Sequence, residues 1–193
     1  MARELQKCKA RYPNLHYHIS SGDTEQVTEK LDKGLLDFVV LCETPDSRKY
    51  AYICFPEADT WGAVMPAVHP LARKKAVLVE DLIGEPLFCS AQSWNNEISA
   101  WAGDRFPELM LEGSFRLSYN GSLFAREGPG ILLTFKNLIF CNEDNGLVFR
   151  PLSPVCESRL YLVWNRYQPF TPIADRFLSQ IRDSFISGEY FDT

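Results

Sequence analysis

The stretch from Thr60 to Ala72, Thr-Trp-Gly-Ala-Val-Met-Pro-Ala-Val-His-Pro-Leu-Ala, limits the architecture more than any other part of the chain. Trp61, Ala63, Val64 and Met65 form an apolar run interrupted by one glycine, the pattern of a buried strand. Pro66 removes a backbone donor, while Pro70 fixes its own φ and keeps His69 out of the helical region. A strand that stops at such a corner, with a new αβ pattern on either side, carries a chain from one lobe to another. A second strand-like run, Ser158–Asn165, precedes one last helical pattern. Two antiparallel passages of this kind predict a two-stranded hinge with a ligand cleft between the lobes. The boundaries expected are 1–64 plus 165–193 for the first lobe and 65–164 for the second.

A chain of 193 residues can hold two such lobes, each with a core. The net charge of −5 supplies no basic field to drive nucleic-acid binding by counterion release. None of the six cysteines (Cys8, Cys42, Cys54, Cys89, Cys141, Cys156) forms a Cys-x-x-Cys pair, and several sit in apolar runs, as reduced thiols do in a cytosol. Residues Met1–Lys7 have no signal-peptide core, and no apolar run approaches a membrane span. The expected location is cytoplasmic, with no membrane partner and no cofactor.

Taken in order, Leu5, Cys8 and Tyr12 recur at helical spacing and predict an amphipathic helix over 2–12, ended before Pro13. Leu15, Tyr17 and Ile19 alternate with His16 and His18, predicting a half-buried strand. Asp23 and Gln26 resemble a capping box for a helix lined by Val27 and Leu31. The apolar run Leu36–Leu41 predicts a parallel strand covered on both faces. In the second lobe, strands are expected at 86–90, 115–119 and 130–135, with helices at 93–105 and around Leu123–Arg126. Thr171 and Pro172 open the last helix, whose apolar face is Ile173, Phe177, Ile181 and Phe185. The fold class is α/β.

Several of these segments together resemble a known family. Arg11-Tyr12-Pro13-Asn14-Leu15, Gly34-Leu35-Leu36-Asp37-Phe38-Val39-Val40, His69-Pro70-Leu71-Ala72, Glu80-Asp81-Leu82, Gly128-Pro129-Gly130-Ile131-Leu132-Leu133 and Gly146-Leu147-Val148 follow in the order and rough spacing of LysR-type effector-binding domains. The resemblance covers nearly the whole chain. It implies a two-lobed fold like that of type II periplasmic binding proteins, with two crossover strands and an inducer held between the lobes. The family pattern begins with a strand that this sequence does not show before its first helix. The DNA-binding helix-turn-helix of such regulators is also missing, so contact with DNA is expected only through that absent domain. The resemblance further implies a homodimer, with the first helix (Leu5, Cys8, Tyr12) meeting a partner's helix near Leu123 and Arg126.

An anionic ligand in an α/β fold is best held by hydroxyls and helix N-termini, whose free N–H groups need an acceptor. The candidate effector contacts are Ser21, Gly22 and Thr24 at one helix start, and Ser90, Gln92 and Ser93 just after a buried strand. Asn120 and Gly121 precede a third helix, and Thr134 and Phe135 end a strand. Capping alone explains serines and aspartates at such places. Asp23 would repel an anion, so Ser90, Gln92 and Ser93 are preferred. Trp94 is a core aromatic by default, placed where it could also cover an apolar ligand.

His16 and His18 share a strand face but lack a third ligand in reach, so no metal site is expected. No Gly-x-Ser-x-Gly elbow, His-Glu-x-x-His or paired-carboxylate pattern marks an enzyme, and no catalytic residue is assigned. The expected function is an effector-sensing module for a small carboxylate or aromatic acid. The alternative is a free-standing solute-binding protein serving a transporter, which predicts an export signal and few free thiols.

Overall fold

The structure is a computed structural model that describes residues 1–128, 130–142 and 144–186. Those residues divide into two units, Met1–Glu57 with the chain from Arg159 onward, and Ala58–Ser158. The chain thus enters the second unit between Glu57 and Ala58 and leaves it between Ser158 and Arg159. The fold is mixed α/β in both.

The first unit is built on helices α1 (Ala2–Arg11), α2 (Thr24–Asp32) and α6 (Pro172–Ile186). Its strands are β1 (Val39–Leu41), the first part of β2 (Tyr50–Pro66) and the end of β8 (Glu157–Asn165), with β8 between β1 and β2. α1 turns Cys8 inward and packs on α6, where Cys8, Leu162, Trp164, Phe177, Leu178 and Ile181 form a buried cluster. Phe38 lies edge-on to Phe177 at 5.7 Å and to Trp164 at 6.5 Å, completing an aromatic wall. Each fully buried side chain such as Leu162 or Ile181 contributes on the order of 1.5–3 kcal/mol. A second cluster joins Val27 and Leu31 of α2 to Val39, Leu41, Tyr50 and Val163. The Tyr50 hydroxyl donates to Asp32 Oδ1 at 2.9 Å, pinning α2 to β2; burial and that carboxylate push the phenol up to about 12.

Two sequence expectations fail in this unit. Leu15–Ile19 alternates as a strand should, yet it forms none, and Tyr17 and Ile19 stand 54% and 71% exposed. Alternation describes a face, but a strand also needs a neighbour to receive its ladder of hydrogen bonds, and no described strand lies beside this segment. The apolar run at 36–41 was expected to be a parallel strand buried on both faces. Only Val39–Leu41 is extended, paired antiparallel with Tyr161–Val163, and Val40 is exposed. The first half of β2 carries no clean strand signature, because Pro56, Glu57 and Asp59 interrupt its apolar pattern.

In the second unit, the later part of β2 pairs antiparallel with β6 (Ile131–Phe135) and with β7 (Leu147–Ser153). Gly62 is required where β2 meets β7, since a Cβ there would sit 2.5 Å from the Arg150 carbonyl oxygen and 2.1 Å from the Phe149 ring. A short β3 (Val77–Leu78) runs parallel to β7. β4 (Pro86–Cys89) pairs in parallel with β6 on one side and with β5 (Met110–Ser114) on the other. These three parallel strands all point their carboxyl ends the same way.

Helical turns follow two of those ends. After β4 the chain is helical over 91–102, as α3 (Ala91–Ser93), a π-helical turn (Trp94–Ile98) and α4 (Ser99–Ala102). After β5 comes α5 (Ser118–Glu127), closed by Gly128 at φ 89°. The expected strand at 115–119 is absent, and α5 starts at Ser118 instead of near Leu123. Phe115 satisfies its apolar character by packing beneath α5, where Gly121 leaves it room, while Leu117 and Tyr119 are exposed.

Candidate functional site

The carboxyl ends of parallel strands are where an α/β unit gathers backbone donors from the helices that follow. Leu87 lies opposite Ile131 and Phe88 opposite Leu132, so the same register carried two residues further brings Ser90 level with Thr134. On the other side Cys89 pairs with Ser114 at the end of β5, which leads to Ser118 at the start of α5. Ser90, Ser93, Ser118 and Thr134 are therefore set on one edge of one unit by three strand ends.

Their hydroxyls have different occupations. Ser90 Oγ accepts from the Ser93 N–H at 3.2 Å and so caps the helical run. The Ser93 hydroxyl itself takes part in no hydrogen bond among the described residues, and the residue is half-buried. Thr134, only 2% exposed, donates from Oγ1 to Ser118 Oγ at 3.1 Å. Gln92 is half-buried beside them. Phe135 is buried against Trp61, the ring centroids 4.3 Å apart, and the Trp61 indole N–H donates to Ser158 Oγ at 2.9 Å. The alternation over 115–119 predicts a strand through Ser118 and so hides this residue; the Ser-x-Asn that opens α5 is the local signal for it.

Two thiols of the same unit are held protonated. Burial pushes the Cys89 thiol up to about 12, with the Glu97 carboxylate adding to the effect, and burial raises Cys156 to about 11 with help from Glu97 and Glu157. Thiols held so firmly protonated are poor nucleophiles. Trp94 is buried on Phe106, 5.1 Å between centroids, and acts as core. His69 caps the turn at Pro70–Arg73, its Nδ1 accepting from the Leu71 N–H at 3.3 Å.

The remaining candidates lie elsewhere. Asn120 is exposed in the first turn of α5, and Gly121 is buried with Phe115 and Leu132 too close to admit a Cβ. Ser21, Gly22 and Thr24 belong to the first unit, where Asp23 Oδ1 already accepts from the Gln26 N–H at 2.9 Å at the start of α2. Leu5, Cys8 and Tyr12 pack inward on the cluster beneath α6, leaving Arg3, Lys7, Lys9 and Arg11 on the outer side of α1. Leu123 is half-buried and Arg126 exposed on α5. Among the described residues no group of three or more His, Cys, Asp or Glu could hold a metal ion, and no helix is long and apolar enough to cross a membrane.

The model of the LysR substrate binding domain matches residues 1–186. Two Bacillus subtilis proteins are similar in sequence. The uncharacterized HTH-type transcriptional regulator YybE is 21% identical over 179 residues, covering 90% of this chain and 60% of its own length. The HTH-type transcriptional regulator YtlI is 28% identical over 147 residues, covering 73% of this chain and 46% of its own. The chain thus spans roughly half the length of these relatives. Among solved structures, the effector-binding domain of QuiR in complex with shikimate superposes with a TM-score of 0.83 at 12% identity, over 96% of this chain and 90% of that one. The regulatory domain of Synechocystis CcmR in complex with 2-PG gives 0.77 at 15% identity, over 95% and 90%.

Proposed function

Because the chain belongs to the LysR substrate binding domain family, we propose that it senses a small-molecule effector for a transcriptional regulator, taking a small carboxylate at the strand ends of its second unit. The observation that carries this reading is the Ser93 hydroxyl, free of described hydrogen bonds at the start of the helical run that follows β4, in the unit where Ser118 and Thr134 pair near the ends of β5 and β6. Free N–H groups in the first helical turn need acceptors, and a carboxylate supplies two oxygens where the helix end is electropositive. Phe135, next to Thr134, is buried against Trp61 and keeps this end of the strand fixed. Two proteins of this fold hold small ligands, shikimate in one and 2-PG in the other.

Effector binding would act by favouring one arrangement of a longer regulator over another, so the ligand must bind the two states unequally. The curated relatives are HTH-type transcriptional regulators longer than this chain, and DNA contact in the whole regulator would fall to a helix-turn-helix outside the described residues. The module works in the cytoplasm as a homodimer, through the outer side of α1 and the face of α5 around Leu123 and Arg126. A solute-binding role for a transporter is not favoured, since the similar proteins are regulators. A thermal-shift screen with small carboxylates, aromatic acids and amino acids tests the proposal. An effector stabilises the native state in proportion to its occupancy, and a screen with no saturable rise refutes the reading.

A further inference from the structure

Beyond the strand-end site, the first unit has a groove of about 480 Å³ at the carboxyl end of α1, lined by Arg11, Tyr12, the Pro13-Asn14 turn, Leu15, His16 and Ile173. We propose that this groove is a second ligand site, taking a small carboxylate with an aromatic or alicyclic body. Its floor is apolar: Tyr12, Leu15 and Ile173 are half-buried and packed on the cluster beneath α6. Its rim is cationic. Arg11 supplies that charge, its guanidinium in no ion pair among the described residues; His16 lines the same groove, and the Arg176 guanidinium sits over the Tyr12 ring at 5.8 Å.

Among the described residues no carboxylate is in the lining set of the groove, and Glu4 of α1 is buried against Gln180 and Ser184. In a chain of net charge −5, a cationic rim without local neutralisation attracts an anion. The site is also pre-shaped. Lys9 Nζ donates to the Leu15 carbonyl at 2.6 Å and the Leu15 N–H donates to the Tyr12 carbonyl at 2.9 Å, so the turn is closed before any ligand arrives. A volume near 480 Å³ lies in the range that small-molecule sites use. Guanidinium gives the carboxylate a two-pronged partner, and Leu15 and Ile173 line the groove where the ring would sit.

Backbone-amide NMR of the 193-residue chain titrated with phenylacetate, with 2-phenylethanol as the uncharged analogue, tests the site. The expected result is saturable shifts at Arg11, Tyr12, Asn14, Leu15, His16 and Ile173 with phenylacetate alone. Arg11→Gln weakens them roughly tenfold or more, Arg11→Lys retains part of the affinity, and Ser93→Ala leaves them unchanged. Because Arg11 is exposed, these variants fold. Absence of saturable shifts at these amides through the millimolar range overturns the proposal. So does equal binding of 2-phenylethanol, indifference to Arg11→Gln, or loss in Ser93→Ala. Shifts confined to the Ser90–Ser93 region would reject the groove and leave the strand-end site standing; shifts in the groove alone support it independently of that site.

Discussion

Thr134 Oγ1 donates a 3.1 Å hydrogen bond to Ser118 Oγ, tying the end of the buried strand β6 to the first turn of α5, the helix that precedes it in the chain. A buried hydroxyl that lost this partner would keep its desolvation cost with nothing to offset it, about 1–3 kcal/mol. Ser118→Ala should therefore destabilise the second unit more than the pair Ser118→Ala with Thr134→Val, in which neither hydroxyl remains. Denaturant unfolding of the single and double variants reads this directly. Additive losses in the double variant would show that the two hydroxyls are not coupled.

Ser90 and Ser93 separate capping from binding. Ser90 Oγ caps the helical run, so Ser90→Ala should lower stability by about 1 kcal/mol without ligand. Ser93→Ala removes a hydroxyl with no described partner and should leave the unfolding free energy from urea titration within about 0.5 kcal/mol of the parent. Equal losses for both would assign Ser93 a structural role.

Gly62→Ala should be among the costlier single-methyl additions in the chain. Its Cβ would stand 2.5 Å from the Arg150 carbonyl oxygen, a backbone atom, as well as 2.1 Å from the Phe149 ring. The β2–β7 pairing must give way, at about 2–3 kcal/mol or more. Gly121→Ala meets only side-chain atoms of Phe115 and Leu132, at 2.5 and 2.8 Å, and should cost less. Thermal unfolding of the two variants gives the order.

Acid sensitivity should trace to Glu4. Burial alone would raise its pKa, yet hydrogen bonds from Gln180, Ser184 and Lys7, with the Lys7 charge, more than offset that and hold it below its ordinary value of 4.5. A carboxylate depressed on folding contributes stability that is fully present above its unfolded pKa and lost as pH falls through the folded one. Unfolding of the parent should therefore weaken below about pH 4.5 more steeply than that of Glu4→Gln, which should also be less stable at neutral pH. Parallel pH profiles for the two proteins would contradict the assignment.

What was legible in the sequence follows a physical line. The strands at β4, β6 and the latter half of β2 are buried on both sides, so continuous apolar runs identified them, and with them the strand-end serines and Thr134. Leu15–Ile19 and Phe115–Tyr119 carry the same alternation as true half-buried strands. Whether such a segment pairs depends on a neighbour far away in the chain, which local pattern cannot supply. Ser118 was missed for that reason. The inward turn of Leu5, Cys8 and Tyr12 depended on α6, which lies at the other end of the chain.

The central claim is an effector held at the strand ends of the second unit, and calorimetric titration of the best carboxylate from a thermal-shift screen tests it most directly. Saturating ligand, at about 100 times its Kd, should raise the Tm of the parent by roughly 5–10 °C. The account predicts that Ser93→Ala binds the same acid roughly tenfold or more weakly while unfolding at the same temperature as the parent when ligand is absent. Undiminished affinity in Ser93→Ala, or in Ser93→Ala combined with Thr134→Val, would place the effector somewhere other than these strand ends.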